Sequence, residues 1–510
     1  MIKSILVLGG GSAGLLTAIT LKGRLPTVNV IVLRSKDIGV IGVGEGTTVS
    51  VTSHLHGYLG IHPGSFLRET QAIFKLGIRF LWGKRPYFDF PFARGLDVRL
   101  NSLPKPVGFY AADDMSDFSL PSALLARNRV FARDAKGLPV VEPWFAYHIE
   151  NETFVGWLDG FAKKLGVHIT EGTVGDVRRD AYIIQTLLLE DGREFAADLF
   201  IDSSGFRSKL IGATLGEKYI DYSSSLWCER AVVGGWDRGP EEPIQPYTIA
   251  ETMNAGWSWR IDHERRINRG YVFCPAFISD EEAEKEFRIR NPKVGATRLI
   301  RFRSGRHERA WVGNVVAIGN AFGFVEPLEA TNLAVICQAA QHLGEFLNDG
   351  DCVVRESQRS AFNTLQARTF DAIRWFLSIH YKFNGRLHTP FWRECREKVN
   401  IAGAADIVEY YQENGPSGLF RHSLLDSSNP FGVEGYLAML VGQKVPYRRT
   451  YNPTQAEQNA WERFRATMRQ SADAACSVEE TLKHLRSSNW QWKRSTFLSQ
   501  VPSTMPAPSA

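Results

Sequence analysis

Ile5-Leu6-Val7-Leu8-Gly9-Gly10-Gly11-Ser12-Ala13-Gly14 decides the fold. The apolar run is short, β-favouring and stopped by glycine, which reads as a buried parallel strand. Leu15, Leu16, Ala18, Ile19 and Leu21 then switch to helical spacing, carrying a helix through Lys22. In Gly9-x-Gly11-x-x-Gly14, Gly9 permits the tight turn, Gly11 lets backbone approach a pyrophosphate, and Gly14 lets the helix pack on the strand. Phosphates would rest on the helix N-terminus, where unpaired N–H groups favour anions. Gly9, Gly11, Ser12, Ala13 and Gly14 are therefore the first cofactor-binding candidates. One part of the dinucleotide pattern is missing. A second strand at residues 28–33 should end in an acid that accepts from the adenosine ribose, yet Arg34 follows. Either the ribose is held differently or FAD binds loosely; a 2′-phosphate reading of Arg34 ranks below these.

Composition narrows the rest. A length of 510 residues suggests about two to four domain-sized units. A net charge of +5 with dispersed basic residues makes nucleic acid an unfavoured partner. No stretch of about 20 apolar residues offers a membrane helix, and the start lacks a signal peptide. Six scattered cysteines without a CxxC read as reduced, in keeping with a cytoplasmic protein. His54, His56 and His62 lack a third ligand at metal spacing, so no metal site is expected. The 13 tryptophans and 31 phenylalanines suit a core, or a cavity for a flat substrate.

Further along, Gly42-Val43-Gly44-Glu45-Gly46-Thr47 is either a surface turn or backbone laid flat against a ligand. In Phe74-Lys75-Leu76-Gly77-Ile78-Arg79-Phe80 the alternation reads as a strand, and from this stretch alone Lys75 is expected to snorkel to water. Residues 85–145 look like an irregular cover. An amphipathic helix follows with Asn151 as its N-cap, then a hairpin over 187–196. A buried strand at 199–202 empties into Ser203-Ser204-Gly205-Phe206-Arg207-Ser208. Alternation puts Trp257 and Trp259 on one strand face. Residues 315–332 run from strand through a glycine turn into a helix that starts near Thr331, giving a second anion-favouring N-terminus. A long helical pattern spans 355–381, and 495–510 reads as a disordered tail.

Five pieces together carry a family likeness: the dinucleotide turn, Gly42 to Thr47, Phe74 to Phe80, Asp202 to Ser208, and Gly319 to Asn332. In this order the chain resembles the flavin-dependent halogenases, the tryptophan halogenases in particular, two-component relatives of the flavin monooxygenases. The resemblance implies an α/β fold: an FAD-binding Rossmann-like domain of the aromatic hydroxylase type, an interleaved β-sheet substrate region and a helical C-terminal portion. The expected order is FAD-binding parts at 1–84, 146–222 and 301–348, the cover at 85–145, the substrate region at 223–300, the helical region at 349–494 and the tail.

The resemblance adds Arg34, Gly42, Gly44, Glu45, Gly46, Thr47, Gly319, Asn320, Pro327 and Leu328 to the FAD contacts. It implies FADH2 from a separate flavin reductase, O2, and a halide held by the backbone of Thr331 and Asn332. Hypohalous acid so formed would travel to Lys75, where a small electron-rich aromatic such as an indole or phenol is halogenated. Glu329 would orient the oxidant and help remove the ring proton, while Trp257 and Trp259 keep substrate off the flavin. A partly desolvated ammonium polarises such an oxidant; burial favours the neutral amine if that is the nucleophile; and a carboxylate serves as base. Three departures stand out: Asp262 where the family has proline after WxWxI, Arg34 at the ribose acid, and Asn332 where glycine is expected. The last alters the halide cradle and tilts the expectation toward bromide or iodide. Competing readings are an aromatic hydroxylase that uses NAD(P)H directly, and a flavin-binding sensor without turnover. The oligomeric state is left open.

Overall fold

In the computed structural model, residues 1–36, 39, 44–92, 116–417, 423–426, 429–449 and 452–492 are described. The expectations for Gly42 and for the tail at 495–510 lie outside them. The first strand, Ser4–Leu8, takes the centre of a six-stranded sheet. Asn29–Arg34 and Leu199–Asp202 flank it in parallel; His168–Glu171 and Val315–Ala317 extend the sheet, and Trp311–Val312 closes one edge antiparallel. Every residue from Ile5 to Leu8 is buried, as a strand covered on both faces must be. The helix Ser12–Arg24 covers one face and packs against Asn332–Asp349 and Asn151–Lys164. The glycine turn makes this fit. Gly9 has φ +127°, and a Cβ on Gly14 would fall 1.9 Å from the Gly9 carbonyl oxygen, so helix and strand meet at backbone distance.

A second, seven-stranded sheet runs in the order Arg298–Arg301, Arg230–Asp237, Arg266–Phe273, Gly256–Asp262, Tyr247–Met253, Gly77–Leu81, Phe88–Pro91. Its one parallel pair joins Tyr247–Met253 to Gly77–Leu81. A small sheet of Glu45–Gly46, Ala146–Ile149 and Ile73–Lys75 adjoins it through the chain itself, because only Leu76 separates Ile73–Lys75 from Gly77–Leu81. The architecture is thus α/β, followed by helices from Glu356–Phe383 to Val478–Leu485.

Several local expectations shift. Arg34 ends the second strand instead of following it. Glu150, not Asn151, caps the Asn151–Lys164 helix by accepting from the Thr153 N–H at 2.9 Å; Asn151 is buried and donates to Glu45 Oε1 at 3.1 Å, which takes its side chain away from the cap. The hairpin is one edge of a three-stranded sheet, Val174–Asp180, Ile183–Leu189 and Glu194–Phe195. Within 85–145, Phe88–Pro91 and Leu120–Ala126 are regular strand and helix, and 93–115 lies outside the described residues. All six cysteines are free. Among the described residues, no helix is long and apolar enough to cross a membrane and no cluster of three or more His, Cys, Asp or Glu could hold a metal ion.

Candidate active site

A cavity of about 660 Å³ opens at the C-terminal edge of the six-stranded sheet, the crevice where parallel sheets place ligands. Gly9, Gly11, Ser12 and Ala13 line it, with Arg34, Gly44, Glu45, Gly46, Asn320, Pro327 and Asn332. It also takes in Ser203 to Arg207, so the fourth quoted motif reaches the site as well. Gly14, Thr47, Gly319, Leu328 and Thr331 stay off this wall. Gly14 and Gly319 pack against the first turn, Leu328 is buried, and Thr47 is paired with Tyr147 through both its N–H and its Oγ1. The cavity suits a dinucleotide on two grounds. A Cβ on Gly11 would meet no protein atom within 4 Å, so the space against that backbone is left to a ligand. The helix Ser12–Arg24 has no side-chain cap and no acid in its first turn, which leaves its N–H groups to an anion.

Lys75 stands behind the wall. It is fully buried, and its Nζ has no hydrogen-bond partner among the described residues. The snorkelling expectation therefore fails: the strand that carries Lys75 pairs with Ala146–Ile149 in the small sheet, and its amine ends among Gly46, Thr248 and Phe92 instead of water. A Cβ on Gly46 would sit 2.7 Å from Lys75 Nζ and 3.0 Å from Thr248 Oγ1. Gly46 and Thr248 both line the cavity, so bare backbone at Gly46 is the partition between cavity and amine. The Phe92 ring centroid lies 5.0 Å from Nζ. Burial pushes the Lys75 ammonium down to about 7, with Glu329 pulling the other way. Thr248 carries no sequence signal; its hydroxyl is held by His148 Nε2 at 2.9 Å, and burial lowers the affinity of that imidazole for a second proton.

Glu329 is 1% exposed. Its Oε1 lies 2.8 Å from His380 Nε2, while His380 Nδ1 lies 2.9 Å from the Phe376 carbonyl. A carbonyl only accepts, so Nδ1 carries a hydrogen. The short contact at Nε2 then needs a further proton, resident on either the imidazole or the carboxyl. Glu329 and His380 thus share one transferable proton inside the protein. No motif marked His380; its helical period alone could not distinguish it from a core residue.

The loop that carries Glu329 faces two ways. Pro327, Ala330 and Asn332 line the cavity, while Glu326 and Glu329 are buried behind it. The reversal passes through Ala330, which has φ +56°, a left-handed conformation that costs a residue with a Cβ about 1 kcal/mol or more. Beyond it, Thr331 begins the Asn332–Asp349 helix without a side-chain cap, and its buried Oγ1 has no partner among the described residues.

Trp257 and Trp259 do share a strand face, with ring centroids 5.9 Å apart. Only Trp259 lines the cavity. Trp257 sits deeper, its indole N–H donating to Glu326 Oε2 at 2.9 Å, and Tyr381 Oη donates to the same oxygen. Burial pushes both Glu326 and Glu45 up to about 7. Asp262, where the family motif has proline, is 1% exposed and held by Arg260 at 2.8 Å and Arg238 at 3.3 Å, which makes a buried carboxylate tolerable there.

Comparison with known proteins gives the arrangement its family. The tryptophan halogenase family model matches residues 4–459. The chain is 32% identical over 450 residues to the tryptophan 6-halogenase ThaL of Streptomyces albogriseolus, covering 82% of this chain and 83% of the relative. It is 32% identical over 440 residues to the tryptophan 7-halogenase RebH of Lentzea aerocolonigenes, covering 81% and 82%. Among solved structures, MibH, a lanthipeptide tryptophan 5-halogenase, superposes with a TM-score of 0.86 at 38% identity over 94% of this chain and 93% of its own. BrvH, a flavin-dependent halogenase from Brevundimonas sp. BAL3, gives 0.83 at 28% identity over 96% and 100%. The chain therefore belongs to the tryptophan halogenase family, flavin-dependent oxidoreductases on an α/β FAD-binding fold.

Proposed function

We propose that this enzyme halogenates an electron-rich aromatic ring, an indole before a phenol, by relaying an oxidised halogen from the cavity to Lys75. The observation that carries this reading is the fully buried Lys75 Nζ, unpartnered among the described residues and one glycine away from the cavity. Bound FADH2, delivered by a separate flavin reductase, supplies with O2 the oxidising power that converts a halide ion to hypohalous acid. Gly9, Gly11, Ser12 and Ala13 hold its phosphates, and Gly44, Glu45, Asn320 and Pro327 its flanks. The uncapped N–H groups at Thr331 and Asn332 hold the halide. Lys75, as ammonium, donates to the hypohalous oxygen. The ring attacks the halogen, the O–X bond breaks, and the oxygen leaves as water with the proton that Lys75 provides. Glu329, in its ionised form against the His380 imidazolium, takes the ring proton and restores aromaticity. Trp259, packed against Trp257 whose indole N–H is held by Glu326, keeps the ring from the flavin.

Indole is favoured by the names of the relatives, and peptide-borne tryptophan enters because MibH, at 38% identity, is named for a lanthipeptide. Bromide is taken ahead of chloride, since Asn332 replaces the small residue of the cradle and bromide is the easier ion to oxidise; Tar14, 26% identical, is named a chlorinase. A reducing cytoplasm with diffusible FADH2 is the natural setting. The test is a mass-spectrometric screen of indole, free tryptophan, a tryptophan peptide and phenol, with a flavin reductase and each halide in turn. Lys75→Ala is expected to keep flavin reoxidation and lose all carbon–halogen product. A gain of one oxygen in place of a halogen would make the enzyme a hydroxylase.

A further inference from the structure

The acid expected at the end of the second strand is absent from position 34, and a carboxylate stands one strand further out. Arg34 lies over the first turn: a Cβ on Gly10 would fall 2.7 Å from both Cβ and Cδ of its side chain. Its guanidinium donates to Asp159 Oδ1 at 2.6 Å and lies 3.5 Å from Glu171 Oε1. Glu171 is the register partner of Arg34 on the parallel edge strand His168–Glu171, and the Gly172 N–H donates to the Arg34 carbonyl at 2.8 Å. Lys36 Nζ lies 2.6 Å from Glu171 Oε2. Arg34, Lys36 and Glu171 all line the cavity beside the glycine turn.

A ribose acid needs two things: a carboxylate at the C-terminal edge of the parallel sheet, and a place beside the turn that takes the pyrophosphate. Glu171 meets both. We propose that Glu171 recognises the adenosine ribose hydroxyls of FAD in place of the missing strand-end acid, with Arg34 and Lys36 holding its carboxylate in position. The same carboxylate stands against a 2′-phosphate, and Arg34 is already committed to Asp159, so a phosphorylated dinucleotide such as NADPH is turned away. The inference rests on the flavin reading only for FAD binding and not on halogen transfer.

The test is a fluorescence titration of FAD with wild type and Glu171→Gln, followed by displacement with ADP and with 2′-deoxy-ADP. Glu171 is half-exposed on an edge strand, and far-UV circular dichroism checks that the variant is folded. FAD binding is expected to weaken about 10-fold, the loss that goes with one charge-assisted hydrogen bond. Wild type is expected to prefer ADP to 2′-deoxy-ADP, and the variant to bind both alike. A merely structural role weakens ADP and 2′-deoxy-ADP by the same factor and overturns the inference, as does an unchanged FAD affinity. Wild type that fails to bind FAD at all sinks the flavin reading itself, a separate result.

Discussion

The cavity and the buried polar side chains behind its wall meet a ligand and a proton in different ways. The cavity wall joins glycine turns, an uncapped helix start and the loop at Pro327 to Asn332 to apolar side chains such as Trp259, Ile261 and Phe324. Behind it stand charged or protonatable side chains, Lys75 and the Glu329–His380 pair, each buried. Backbone dipoles accept an anion and stay unchanged by it. A buried amine and a shared proton, by contrast, are costly to keep and change state during a reaction. On the proposed function the first region holds and the second transfers.

The wall between them is where that contrast breaks most readily. Gly46→Val would drive side-chain atoms into the space of Lys75 Nζ and Thr248 Oγ1. Halogenated product per flavin oxidised is expected to fall about 100-fold, the scale of losing one aligned donor, while FAD reoxidation in a stopped-flow trace persists. Product formation that survives this substitution would mean the oxidant reaches the ring by another route. His380→Ala leaves Glu329 without its proton partner. A fall of about 10-fold or more in the chemical step is expected, with a changed pH profile and undisturbed FAD titration. An unaltered profile would reduce His380 to packing.

The third effect concerns stability, not turnover. Lys75 titrates near 7 in the fold, below its ordinary 10.5, so between those values the unfolded chain binds more protons than the folded one. Stability then rises with pH through that window, by at most about 1.4 kcal/mol per unit. Lys75→Met should raise Tm at pH 6, where wild type carries the full burden of burying a charge, and give less advantage by pH 10. Equal shifts at both values would show that the amine reaches water.

How much of this could be read from the chain alone depended on distance along it. The first turn was legible because strand, glycine spacing and helix follow one another directly between Ser4 and Arg24. The burial of Lys75 was not, because the sheet that encloses it forms when Tyr247–Met253 pairs with Gly77–Leu81 from far away in sequence. Trp257 and Trp259 showed their shared face by alternation but not their different depths, since the partner that fixes Trp257 is 69 residues on. Asn151 looked like a cap because its residue type favours caps; a tertiary acceptor, Glu45, claimed it instead. His380 and Thr248 left no local trace, as each acquires its neighbours only through folding.

Ala330 has a consequence for anyone redesigning the enzyme. Because the chain creases at its left-handed backbone, the residues on either side answer to different environments, 329 to the interior helix and 332 to the open crevice. Substitutions at 332 can therefore leave the Glu329–His380 contact intact, provided 330 stays alanine or becomes glycine. A β-branched residue there would flatten the crease and scramble both halves together.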